Sequence, residues 1–149
     1  MKMSLQQKKM KRIAELLSHN LSYIYGEKEN GPNGDKQEFL RLSAAFLRKL
    51  GKDLDFKEMQ VRTNPAGIAV SGSASLYGIW NDGNGLCFVL EQFASKNQML
   101  LYREIVNLKE CTGKRNLWLP ISVFENADYS RLCDIFTAFR KEAAMNNAA

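Results

Sequence analysis

Met10, Ile13, Leu17, Leu21 and Ile24 recur at intervals of three and four residues, which places one apolar stripe along a helix. Ser4 followed by Gln7 fits a capping box and predicts that this helix begins at Ser4, while Gly26 predicts its end. The segment from Glu27 to Gly34 concentrates Gly, Pro and Asn and predicts an exposed loop. Asp35 with Glu38 reads as a second capping box. Phe39, Leu42, Ala45, Phe46 and Leu50 then line a second amphipathic helix, expected to stop at Gly51.

From Leu54 the period becomes two. Met59, Val61 and Thr63 alternate with Glu58, Gln60 and Arg62, and Asn64-Pro65-Ala66-Gly67 supplies a turn. Between Ile68 and Trp80 the even positions are apolar or small and the odd ones mostly polar, so one face is buried and the other wet. After the turn Asn81 to Gly85, the run Leu86-Cys87-Phe88-Val89-Leu90 predicts a central strand. A turn at Ala94 to Gln98 leads into a strand from Met99 to Val106. Past the polar connection Leu108 to Asn116, Leu117 to Leu119 can add a short fifth strand before Pro120 interrupts it. Asp128 caps a last helix carrying Leu132, Ile135, Phe136 and Phe139, whose tail from Ala143 to Ala149 is expected to fray. The expected fold is α+β: an antiparallel meander of four to five strands, with two N-terminal helices and one C-terminal helix packed on its even-numbered face.

At 149 residues, 45% hydrophobic and 25% charged, the chain reads as a single globular domain spanning residues 1 to 149. No apolar run has the length of a membrane span and the basic start lacks a signal-peptide core, so a cytoplasmic location and no membrane contact are expected. The net charge of +5 has an address: Lys2, Lys8, Lys9, Lys11 and Arg12 carry it, and the remaining 16 basic residues balance 16 acidic ones. It describes a basic arm or helix start over residues 1 to 12, which either binds phosphate or is simply solvated. Three cysteines at wide spacing imply neither a disulfide framework nor a metal site. Cys87 and Cys133 read as small buried hydrophobes, and Cys111, in a lysine-containing loop, as the reactive thiol.

Chemistry is sparse. His19 is the only histidine and lies near a helix end, so nucleophilic hydrolysis lacks a plausible base. Gly72-Ser73-Ala74-Ser75 falls within a strand and lacks the second glycine of a nucleophile elbow, and Gly83-Asn84-Gly85 lacks the rest of any phosphate loop. Glu91 and Glu104 could face each other on adjacent strands as metal-binding carboxylates, with Tyr102 and Arg103 beside them, as in a small metal-dependent nuclease. Neither acid is followed two residues later by the lysine such sites use, and this enzymatic reading ranks second.

The leading expectation is a small non-enzymatic accessory protein that binds a macromolecular partner, without cofactor or metal. Ser71, Ser73, Ser75 and Tyr77 form the wet face of one strand, and Tyr102 and Glu104 are expected on the same side. Lys114 and Arg115, in the loop Lys109 to Asn116, would form a basic rim. A protein partner or self-association comes first. Nucleic acid is the subtype expected for Lys8, Lys9, Lys11 and Arg12.

Overall fold

The computed structural model describes residues 2–19, 34–65, 72–92, 99–109 and 116–148. The elements are α1 (Leu5–Leu17), α2 (Asp35–Asp53), β1 (Glu58–Asn64), β2 (Ser73–Ile79), β3 (Gly85–Leu90), β4 (Met99–Ile105), β5 (Leu117–Pro120), the short α3 (Ser122–Glu125) and α4 (Tyr129–Ala148). The strands form one antiparallel sheet in the order β1-β2-β3-β4-β5, the meander anticipated from the period-two pattern. Ala74, Leu76 and Trp80 of the even-numbered face are buried under the helices. The stripe residues Leu21 and Ile24, and the turn residues Ala66, Gly67 and Ala94 to Gln98, lie outside the described residues, except Gln98's neighbour Met99, which opens β4.

At α1 the capping box forms as read: Ser4 Oγ accepts from the Gln7 amide at 3.1 Å, and Gln7 Oε1 accepts from the Ser4 amide at 2.9 Å. Met10, Ile13 and Leu16 then point inward, each with no exposed area. At α2 the expected box does not form. Gly34 is the N-cap, and the two acids turn to α1 instead, Asp35 to His19 and Glu38 to Arg12. The ion pair with Arg12 and the hydrogen bond with His19 engage these carboxylates in place of a local backbone bond. Nor does Gly51 stop α2, which continues to Asp53. A Cβ at Gly51 would stand 2.5 Å from Met59 Cε, so the glycine serves the close approach of β1 to α2.

α2 lies over β1 and β2, and α1 packs on α2 and α3 with α4 alongside. Phe136 brings α4 onto the sheet, its ring 5.0 Å from Phe88 and 5.3 Å from Tyr102. Trp80 anchors the other end, donating from Nε1 to the Leu54 carbonyl at 2.8 Å while Phe56 lies 4.6 Å from its ring. Asp128 Oδ1 accepts from the Arg131 amide at 3.2 Å, the expected start of α4. α4 extends to Ala148, and Ala143, where fraying was expected to begin, is buried at 4% exposure.

Candidate functional site

Strand register decides which side chains share a face. One row crosses all five strands on the side opposite α1, α2 and α4: Arg62, Ser75, Val89, Leu101 and Trp118. The next row on that side is Gln60, Tyr77, Cys87 and Arg103. The open face is thus polar over β1 and β2 and apolar over β3 to β5. Val89, Leu101 and Trp118 are half-buried, and Met99, whose register partner is Pro120, is 36% exposed.

The open face is also partly roofed. Arg62 lays its guanidinium 4.3 Å from the Tyr77 ring centre and donates to the Leu108 carbonyl. Leu108 follows β4 while Arg62 stands on β1, three strands away, so the chain leaving β4 folds back across this side of the sheet. Cys87, flanked by Tyr77 and Arg103, has no exposed area although its strand partners face outward. Arg103 in turn donates to the Asn116 side chain at the return to β5. Of the expected face residues, Ser73, Ser75 and Tyr77 are half-buried here, and Ser71, Lys114 and Arg115 lie outside the described residues, as does Cys111.

Tyr102 and Glu104 are not on this face. Tyr102 pairs with Phe88, which pairs with Leu76, so it belongs to the helix-covered side, and Glu104 opposite Leu86 follows it. Period-two pattern places alternate residues within one strand but leaves a neighbouring strand free to shift by one position, which inverts every side chain. The anticipated pairing of Glu91 with Glu104 fails for the same reason. Glu104 lies opposite Leu86, five residues from Glu91, roughly 17 Å along the strand. Glu91 is instead half-buried at the end of β3, where burial raises its carboxyl above the usual range. Arg103 faces the opposite side from Tyr102, so the four residues of the nuclease reading are dispersed. Among the described residues no three His, Cys, Asp or Glu side chains gather as a metal site.

Beneath the β4–β5 end of the sheet, on the helix side, a cleft of about 460 Å³ opens between the strands and α4. Tyr102, Glu104 and Leu117 form one wall and Ile135, Phe139, Glu142 and Ala143 the other. Burial pushes the Tyr102 hydroxyl above its ordinary range and the Glu142 charge pushes it further. The hydroxyl therefore remains protonated at neutral pH and able to donate. The cleft escaped sequence reading because it needs the β4 register and the length of α4, neither of which the pattern of residues fixes.

The basic arm lies elsewhere again. Lys8 and Lys11 are exposed and Lys9 half-exposed on α1. Arg12 is committed: its Nε and Nη2 fork the Glu38 carboxylate at 2.8 and 2.7 Å, and its Nη1 reaches Glu15 at 2.6 Å. Since α1 belongs to the helical layer, the sheet and its cover of helices separate these lysines from the open face. No helix among the described residues is long and apolar enough to cross a membrane. Comparisons with protein-family models, curated proteins and solved structures return no match, which leaves the geometry to carry the functional reading.

Proposed function

We propose that this is a non-enzymatic binding protein whose open sheet face, over β3 to β5, receives a protein partner. The observation that carries the reading is the row Val89, Leu101 and Trp118 with Met99, an apolar strip that no helix among the described residues covers. Such a strip loses water on contact, while Tyr77, Arg62 and Arg103 beside it are types enriched where binding energy concentrates. Asn116, which accepts from Arg103, stands at the rim of that face in this reading. Nucleic acid would engage a different surface, the three lysines of α1, with Arg12 already held by two carboxylates.

The two surfaces can be tested separately. Affinity capture from lysate of the source cells, with and without nuclease, should compare the wild type with a Leu101→Arg/Trp118→Ser face variant and a Lys8/Lys9/Lys11→Gln arm variant. The expected result is a nuclease-resistant protein partner that the arm variant retains and the face variant loses. Capture abolished by nuclease and by the arm variant would overturn the reading in favour of nucleic acid. A face variant that captures the same partner as the wild type would also overturn it.

A further inference from the structure

We infer that the outer edge of β1, beneath α2, binds an acidic segment of a partner protein in extended conformation, which adds to the five-stranded sheet as a further strand. This surface is independent of the apolar strip over β3 to β5. Main-chain geometry supplies the first half of the argument. The Lys57 amide donates to the Ile79 carbonyl and the Trp80 amide to the Asn84 carbonyl, both at 2.8 Å. These bonds fix the phase of the ladder: odd-numbered residues of β2 turn their main chain to β1 and even-numbered ones to β3. In the register that sets Glu58 opposite Ile79, Gln60 opposite Tyr77 and Arg62 opposite Ser75, those odd residues engage Glu58, Gln60 and Arg62. Met59, Val61 and Thr63 are left with their N–H and C=O groups directed away from the sheet, and no described strand pairs with them there. β1 runs seven residues without proline and its register with β2 is unbroken, so nothing in the strand itself deters pairing. The other edge is guarded: β5 has four residues and ends in Pro120, which has no N–H to give.

The second half is charge. Phe39, Phe46 and Leu50 of α2 are buried in the core. Arg41, Arg48 and Lys52 each follow one of these by two positions, which on a helix is the opposite flank, and all three are exposed. α2 covers β1 and β2, while α1, α3 and α4 meet its core flank at Phe46 through Gln6, Phe124 and Tyr129, so the basic flank overlooks the outer edge of β1. Lys57, also exposed, stands just before the strand, and Arg62 within it uses only Nη2 in its described hydrogen bonds. Arg41, Arg48, Lys52 and Lys57 form no ion pair among the described residues; Arg41 acts on Glu38 only through space, and Arg12 already forks that carboxylate. Asp55 and Glu58 offset part of this charge and leave the edge positive. In an added antiparallel strand, the residues that bond Met59, Val61 and Thr63 also share their side-chain direction, toward α2. Acids at those alternate positions reach Arg41, Arg48 and Lys52. A second copy of this chain fits poorly, because a twofold across β1 sets the basic flank against its own image. Nucleic acid answers the charge but has no strand ladder to offer.

Fluorescence anisotropy of a labelled, blocked peptide of alternating Glu and Val, matched to the seven residues of β1 and titrated with the intact protein at low salt, tests the assignment. Saturable binding that weakens with salt is expected. A Lys–Val counterpart, and the Glu–Val peptide N-methylated at its Glu residues, should each bind at least about tenfold more weakly. The double variant Arg48→Glu/Lys52→Glu, at exposed positions, should weaken the acidic peptide about five- to tenfold. Hydrogen exchange of the Met59, Val61 and Thr63 amides should slow in the complex, which separates strand addition from loose charge attraction. No saturable binding at ~1 mM protein, unchanged exchange at those amides, or affinity indifferent to the double variant would overturn the edge site. An N-methylated peptide that binds as tightly as its parent would overturn strand addition. A single-stranded oligonucleotide of equal charge that displaces the peptide more effectively than unlabelled peptide does would overturn the protein-segment reading in favour of nucleic acid.

Discussion

Phe136 has no exposed area and meets Phe88 and Tyr102 edge-on, which makes it a central contact between α4 and the sheet. Phe136→Ala leaves a cavity that neither a strand nor a helix can close, so denaturant melts should show a loss of about 3 to 5 kcal/mol. Glycines give a finer test. A Cβ at Gly78 would stand 2.4 Å from three carbons of the Phe56 ring, itself stacked on Trp80, so the ring must move and the stack with it. At Gly51 the main obstruction is the tip of Met59, which can swing aside, with Leu76 Cδ1 at 3.2 Å needing only a slight shift, and alanine restores up to about 1 kcal/mol of helix propensity. Gly78→Ala should therefore cost roughly 1 to 3 kcal/mol in the same melts and Gly51→Ala almost nothing. Equal losses would show that Met59 is as fixed as Phe56. The position of Gly78 was legible in the sequence, as a small residue on the buried face, but its neighbour was not: the space is filled by the Phe56 ring from the connection before β1 and not by a helix. The role of Gly51 was not legible, because a glycine after an apolar stripe looks the same whether it ends a helix or lets a strand approach one.

At the scale of elements, α1 and α2 are joined by charge as well as by apolar packing. The Arg12 fork on Glu38 fixes one helix against the other, and the Gln92 side chain donates to the carbonyls of Leu17 and His19 at the end of α1, tying it to the end of β3. Arg12 consequently differs from the lysines that surround it in the sequence. Arg12→Gln should cost on the order of 1 kcal/mol, since a bidentate pair spanning two helices exceeds the usual exposed ion pair. Lys8→Gln and Lys11→Gln should stay within ~0.5 kcal/mol. Chemical denaturation of the three variants checks this, and equal stabilities would mean that the fork contributes nothing. From the sequence these side chains formed one basic block. Only the position of α2 beside α1 separates the arginine, and charge composition holds no information on which helix lies next to which. Strand order, by contrast, was readable, because short turns between alternating segments favour neighbours in sequence becoming neighbours in space. Sidedness from strand to strand was not, and it moved Tyr102 and Glu104 from the open face into the cleft.

For the whole molecule, acid should loosen the contacts between elements. Hydrogen bonds from Arg12 hold the Glu38 carboxyl below the usual range. At Asp53 and Asp82 burial works against the charge, but hydrogen bonds outweigh it, from Lys49 and Tyr129 in one case and from Asn84 and Arg140 in the other. Each of these carboxylates links separate elements: Glu38 joins α2 to α1, Asp53 joins α2 to α4, and Asp82 joins the β2–β3 turn to α4. The unfolded chain takes up protons at these groups before the folded chain does. Their stabilisation is therefore complete at neutral pH and is lost as pH falls below about 4, the ordinary carboxylate range. Glu91 has the opposite sign. Its burial raises the carboxyl, so the folded chain holds that proton longer, and the ionised form is a burden that is fullest at neutral pH and disappears on acidification. The two variants Asp53→Asn and Glu91→Gln should thus move stability in opposite directions at pH 7, the first down and the second up. Both should converge toward the wild type near pH 3. Urea melts of the three proteins at both pH values provide the comparison. A loss of stability at pH 7 in Glu91→Gln would show that the ionised carboxylate has a favourable partner in the folded chain, and would remove Glu91 from the groups that oppose folding.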